Sequence, residues 1–350
     1  MSERRIASPP GPIRLEANQP PGRFYRGGAR IAAFRGSAGV AASAAERCPE
    51  DWVGSTTALA GEERLGLTVL PDGLLLRDAI ARDPEHWFGP EHARRFGGDT
   101  RILVKLLHTA QRLLVHAHPS GAFAGMHLGR AHGKAEAWYI LNGGAIHLGL
   151  RREVTVDELL ALVEGQRTEE LLALLHRREV RPGDAVYVPP GLLHSIGEDV
   201  FLIEVQEPED LSIVLEWQGF ELDGAVDGHL GLGFATALAA VETRARTDAE
   251  IDALITSGAR GPSVLPAGAE EFFRLGRYGV QGQVDMAAGF GILIVTEGAA
   301  RLDSDSGSLQ LSRGDTVLVP FAAGPLTLTG HAEVVFCRPP DPSPAETQED

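Results

Sequence analysis

The sequence predicts a mainly β protein built from two related β-barrels, with a small helical insertion in the first and a helical connector between them. Three observations carry this. Short runs of alternating apolar residues, bounded by Gly, Pro and Asp, recur from Arg23 to Arg338, as expected of strands with one buried face. Two Leu-rich stretches behind Thr155 and Thr168, each with an acidic first turn, break that pattern and read as short capped helices. The β-text also repeats itself. RPGDAVYVPPGLLH at 181–194 aligns with RGDTVLVPFAAGP at 313–325, placing Gly183 on Gly314, Asp184 on Asp315 and Pro189 on Pro320. EAWYILNGGAIHL at 136–148 aligns with GILIVTEGAARL at 291–302 about Gly143 and Gly298. In these registers Glu136 meets Gly291 and His194 meets Pro325, so the second copy keeps the turns and loses the side chains capable of chemistry.

Taken in order, residues 1–22 are Pro-rich and read as a flexible arm. FYRGGARIAAF carries a Gly-Gly turn between apolar runs and predicts a hairpin. LRDAIARDPEHWFGPEHARRFGG, from Leu76, has helical spacing and a Gly-Gly stop. The first barrel is expected over 23–218, with its helical insertion at 153–178. Residues 219–262, including TDAEIDALI with its Thr N-cap, form the helical connector. The degenerate second barrel follows over 263–338, and 339–350 is an acidic tail expected to be disordered.

Composition narrows the partners. A net charge of −16 argues against nucleic acid and anionic membranes, which both need a cationic footprint. No apolar run reaches membrane-spanning length, and the Pro- and charge-containing N-terminus lacks a signal peptide's apolar stretch. Cys48 and Cys337 form no metal-binding or disulfide pattern, which fits a reduced, cytoplasmic protein. Of the 32 cationic residues only two are Lys, Lys105 and Lys134. Both fall in the stretch from Val104 to Gly149, where a compact ammonium does what a guanidinium cannot.

That stretch also holds His116 and His118, which strand alternation sends to one face, where both can meet one ion. Glu136 follows, then Gly183-x5-Pro189-x-Gly191-x2-His194. This spacing resembles the cupin signature, in which His, His, Glu and His converge inside a small barrel. The long gap between His118 and Glu136 reads as an inserted loop over the mouth. LVKLL, VHAHP, GKAEAWYIL, YVPPGLLHSIG and FLIEVQ, in that order, resemble the class I mannose-6-phosphate isomerases of the short bacterial kind, one catalytic and one degenerate cupin. The resemblance covers about Arg23 to Arg338. It implies a single zinc ion on His116, His118, Glu136 and His194, with Lys134 and Glu204 catalytic and a sugar phosphate interconverted through an enediol. Lys105, Lys134 and Arg130 are the substrate-binding candidates.

The chain departs from the family at two positions. The family has Gln where this chain has His116, and imidazole suits zinc better than an amide oxygen. It places a catalytic Arg where this chain has Val214, so a cation must come from elsewhere, with Arg130, Arg112 and Lys105 as candidates. Two other readings fit the same residues: an iron or manganese cupin oxygenase, and a sugar-binding protein that has kept the ion and lost turnover. His127, His132 and His147 read equally well as surface histidines, and His229 as a helix-start residue.

Overall fold

A computed structural model describes residues 11–36 and 47–343. Its strands form three antiparallel sheets. One runs in the order Ile255–Thr256, Ala185–Val188, Glu136–Asn142, Phe201–Gln206, Leu103–His108, Glu50–Val53. A second runs Ile213–Val214, His116–Ala117, His194–Ile196, Gly144–Leu150, Leu175–Val180. Together they make the first β-unit. The third is built on three long strands, Arg274–Met286, Gly291–Ser304 and Leu326–Arg338, with the shorter Gly307–Ser312 and Thr316–Val319. This is the mainly β architecture that alternation and repetition predict, of the cupin type that the resemblance implies.

The repeat holds at the level of hydrogen bonds. Glu136 pairs in register with Val188, and Gly291 pairs with Val319. Ahead of each inner strand Asp folds the chain in the same way: Asp184 Oδ2 accepts from Arg181 N at 2.8 Å, and Asp315 Oδ2 accepts from Ser312 N at 2.8 Å. The glycines before them, Gly183 and Gly314, have φ of 89° and 94°, a left-handed conformation that disfavours any side chain. A Cβ on Gly291 would stand 2.6 Å from Cys337 O and from the Phe336 ring. Close packing therefore occupies, in the second unit, the place from which Glu136 projects in the first.

One apolar core joins both units, running from Trp138, Ile140 and Val186 to Phe290, Ile292, Leu318 and Val335. A second lies between the inserted helices Val156–Glu164 and Thr168–Leu174 and the His116–Ala117 strand, through Leu159, Val163, Leu171, Val115 and Ala117. That insertion is shorter than expected, since residues 175–178 belong to a strand. Thr155 caps the first of its helices through Glu158 N, but Thr168 lies inside the second, behind Arg167.

Four other expectations need correction. The predicted hairpin after Arg23 is instead the helix Ala29–Phe34, with Gly28 at its N-cap (φ 111°) and Gly27 packed onto His108 O. Residues 11–22 are not a flexible arm: Ile13 and Arg14 add a strand to the third sheet beside Leu318 and Val317. Residues 1–10 lie outside the described residues. The connector is mostly turns, with helices of four and five residues at Gly224–Asp227, Phe234–Ala237 and Asp248–Asp252. Of the tail, residues 339–343 are placed, with Asp341 paired to Arg274, and 344–350 lie outside the described residues.

Candidate metal centre and its cavity

His116 and His194 are register partners on adjacent strands, and His118 is one alternation on from His116. All three rings are buried, and their nitrogens lie within 4.8 Å of one another. Each Nδ1 faces a backbone carbonyl: His116 to Leu114 O at 2.9 Å, His118 to Leu211 O at 2.7 Å, His194 to Leu192 O at 2.8 Å. A carbonyl only accepts, so each Nδ1 carries the ring proton and each Nε2 presents a lone pair. Burial, then the charges of its neighbours, lowers the His118 pKa to about 4 and that of His116 well below its ordinary value. The His116 and His118 rings are therefore neutral near pH 7.

Glu136 enters from the opposite sheet. Its Oε2 lies 3.0 Å from His118 Nε2, and its Oε1 lies 3.2 Å from His194 Nε2. With the protons on Nδ1, these are lone pairs facing lone pairs. Glu136 Oε2 and His194 Nε2 have no hydrogen-bond partner although both are buried, an arrangement that burial penalises unless a cation sits between. Burial opposes ionisation of Glu136, but Lys134 and His118 outweigh it and hold the carboxyl low. Three imidazoles and one carboxylate, each oriented by the backbone or by Trp138 Nε1 (3.2 Å), form a donor set suited to zinc.

Backbone packing brings these segments together. Gly191 N donates to His118 O at 2.7 Å, tying the Pro-Pro-Gly turn to the second His. Lys134 N donates to Pro119 O at 3.0 Å. A Cβ on Gly133 would stand 2.5 Å from both Pro119 O and Gly121 N, so only glycine lets this strand approach. The close approach delivers Lys134 Nζ to 3.1 Å from His118 Nε2 and 3.2 Å from Glu136 Oε2.

The centre opens into a cavity of about 590 Å³ lined by His116, Glu136, Lys134, Lys105, Glu204 and Val214, among others, a volume ordinary for a small-molecule site. One row of the inner sheet reads Trp52, Lys105, Glu204, Trp138 in register. Lys105 Nζ lies 3.5 Å from Glu204 and 3.4 Å from Glu50, over the Trp52 ring. Burial, reinforced by the Glu136 charge, raises the Glu204 pKa, and its Oε1 has no hydrogen-bond partner.

The remaining candidates are placed elsewhere. Arg130 is half exposed, lies 3.9 Å from Glu209, and lines a neighbouring cavity with His132, Asp99 and Arg77. The inserted segment forms the helix Gly121–Leu128 and flanks that second cavity rather than covering the first. Both terminal nitrogens of Arg112 are held by Glu216. His132 is not a surface histidine: it is buried, with Nε2 2.7 Å from Asp99. His229 is not a helix-start residue: the next helix begins at Phe234 with Gly233 as its N-cap, and His229 Nδ1 accepts from Gly233 N in the turn ahead of it. Arg23, Tyr25, Glu50 and Asp210 were not singled out by sequence, yet all four line the metal-side cavity. Glu50 is two residues from Trp52 on a strand, and the buried Lys105 opposite called for a carboxylate.

Three inward imidazoles and a carboxylate in a two-sheet β-unit make a candidate metal centre of the cupin kind. Comparison with known proteins carries this further. The family model for the mannose-6-phosphate isomerase cupin domain matches residues 264–339, the unit without ligands. The mannose-6-phosphate isomerase ManA of Bacillus subtilis is 27% identical over 259 residues, covering 71% of this chain and 77% of that protein. That of Streptococcus mutans is 31% identical over 126 residues, 34% of this chain and 39% of that one. Among solved structures, the mannose 6-phosphate isomerase from Bacillus subtilis superposes with a TM-score of 0.70 at 22% identity, covering 94% of this chain and 99% of that one. A mutant phosphomannose isomerase from Salmonella typhimurium gives 0.72 at 16% identity, covering 94% and 99%. Residues 264–339 thus match the mannose-6-phosphate isomerase cupin domain, and about 70% of the chain is similar to mannose-6-phosphate isomerases.

Proposed function

We propose that the protein is a zinc-dependent aldose–ketose isomerase interconverting mannose 6-phosphate and fructose 6-phosphate. The observation that carries this reading is a cage of three imidazoles and a carboxylate opening on a cavity beside Glu204, whose buried Oε1 has no hydrogen-bond partner and whose pKa is raised. His116, His118, His194 and Glu136 would hold the ion, which polarises the sugar carbonyl as a Lewis acid. Glu204 takes the proton from one of C1 and C2 and returns it to the other by way of an enediol, while the hydroxyl proton passes from one sugar oxygen to the other through Lys134. The raised pKa of Glu204 makes it a stronger base than a free carboxylate. Lys134 donates to the sugar oxygen on which negative charge grows. Lys105, between Glu50 and Glu204, keeps Glu204 from being neutralised outright. Trp52 and Trp138 wall the carboxylate from bulk water.

The test is interconversion of the two sugar phosphates by zinc-loaded protein. Glu204→Gln, which keeps the shape, is expected to retain zinc and to lose about 10²–10⁴-fold in kcat. No conversion of phosphorylated or free hexoses at any metal loading rejects the isomerase. Saturable sugar binding without conversion would then leave a binding protein, an outcome that Val214 in the wall beside His116 makes worth measuring. Iron in the isolated protein together with oxygen uptake would point to an oxygenase.

A further inference from the structure

The cavity lacks the arginine that the family carries at Val214, yet a guanidinium reaches it from another part of the chain. Arg23 lines the cavity with only 11% of its side chain exposed. Its Nε donates to Glu50 Oε1 at 3.0 Å. Its Nη2 stands 3.9 Å from Asp210, beyond hydrogen-bond reach. Among the described residues neither terminal nitrogen makes a hydrogen bond. A nearly buried guanidinium with its fork open to a cavity is built to meet an acceptor there, and the fork matches phosphate oxygens two at a time.

The support is rigid. Glu50 accepts from Tyr25 Oη at 2.8 Å and from Trp52 Nε1 at 2.7 Å besides Arg23, so the strut beneath the guanidinium has no freedom of its own. Phe24 packs under Arg23, 5.5 Å from its central carbon. The other cations are committed: Lys134 to the metal-side cluster, Lys105 to Glu50 and Glu204, Arg112 to Glu216. Arg23 also stands at the right remove. Lys134 adjoins the histidine cage, whereas Arg23 stands at the end of a run of contacts that leads from Glu204 through two charged residues, Lys105 and Glu50. A sugar with C1 and C2 at the cage would direct its other end that way.

We propose that Arg23 forms the subsite for the substrate's phosphate, supplying from the N-terminal segment the cation that Val214 lacks. This rests on the isomerase reading for the identity of the sugar, but not for the binding of phosphate itself. Arg23→Gln is expected to lower the ratio of kcat/KM for mannose 6-phosphate over that for free mannose at least tenfold, chiefly through KM. Arg23→Lys should recover part of that ratio. Titration of the metal-loaded protein with inorganic phosphate, followed calorimetrically, should show binding that Arg23→Gln weakens at least tenfold. Equal losses on both sugars, or phosphate binding that Arg23→Gln and Arg23→Lys leave unchanged, would overturn the subsite. If Arg23→Gln does not fold, Arg23→Lys alone decides, since a monodentate ammonium should bind phosphate measurably more weakly. Absence of turnover on every hexose alongside Arg23-dependent phosphate binding would reject the isomerase and keep the subsite. Turnover with no phosphate binding by the unaltered protein would do the reverse.

Discussion

His194→Ala is expected to remove the bound metal and, with it, all measurable isomerisation. His194 is the most enclosed of the three imidazoles, with no exposed surface. It faces His116 across the strand pair at a ring separation of 4.1 Å and Glu136 at 3.2 Å, so its Nε2 points to the centre of the cage. Loss of an outer-shell partner of a metal ligand costs about 10–100-fold in affinity, and loss of a ligand itself should exceed the upper end of that range. Metal content after desalting is one readout. Thermal stability is a second and does not depend on activity. An ion that binds only the folded chain stabilises it by about 4 kcal/mol at a thousandfold excess over its Kd, so zinc should raise the melting temperature of the unaltered protein and leave that of His194→Ala nearly unmoved. Equal stabilisation of both by zinc would place the ion elsewhere.

What was legible in the sequence follows from which physical signals are local. Alternation along a strand is local, so His116 and His118 could be assigned to one face without any structure. His194 became legible through the Gly183-x5-Pro189-x-Gly191-x2-His194 spacing, which resembles the cupin signature, while the repeat showed only that the second copy has Pro325 in its place. Arg23 and Glu50 were missed because nothing near them in sequence announces a site. They arrive beside Lys105 only through pairing of the Glu50–Val53 strand with Leu103–His108. The sign of charge could be read, but not its address: Arg130, Arg112 and Lys105 were equal candidates for a missing cation, and the fold commits the first to another cavity and the second to Glu216. The misread hairpin has a related cause. Gly27-Gly28 suits a tight turn, but it equally suits a close approach to His108 O followed by a left-handed helix cap, and only the tertiary contact chooses.

The acidic partner that sequence reasoning missed also makes the largest stability prediction. Glu50 is buried and faces two buried cations, Arg23 at 3.0 Å and Lys105 at 3.4 Å. Burial alone would neutralise it, but the two cations, with hydrogen bonds from Trp52 and Tyr25, outweigh burial and hold its carboxyl well below the usual carboxylate range. Glu50→Gln keeps the volume and leaves both cations short of a counter-charge, with Asp210 3.9 Å from Arg23 and Glu204 3.5 Å from Lys105 as their remaining partners. Breaking a buried pair in this way costs about 3–5 kcal/mol, to be read from urea unfolding at pH 7 with the metal removed. The pH dependence separates this electrostatic cause from a packing defect. A carboxyl whose folded pKa is depressed contributes stability that is fully present above its unfolded value, about 4.3, and that is lost as pH falls toward the folded one. The difference between the unaltered protein and Glu50→Gln should therefore be constant from pH 7 to about 5. Below about 4.3 it should shrink by about 1.4 kcal/mol per pH unit, because the unfolded chain takes up a proton at Glu50 that the folded chain does not. A difference that stays the same down to pH 3 would mean that Glu50 acts by shape, and that Arg23 and Lys105 owe their positions to other groups.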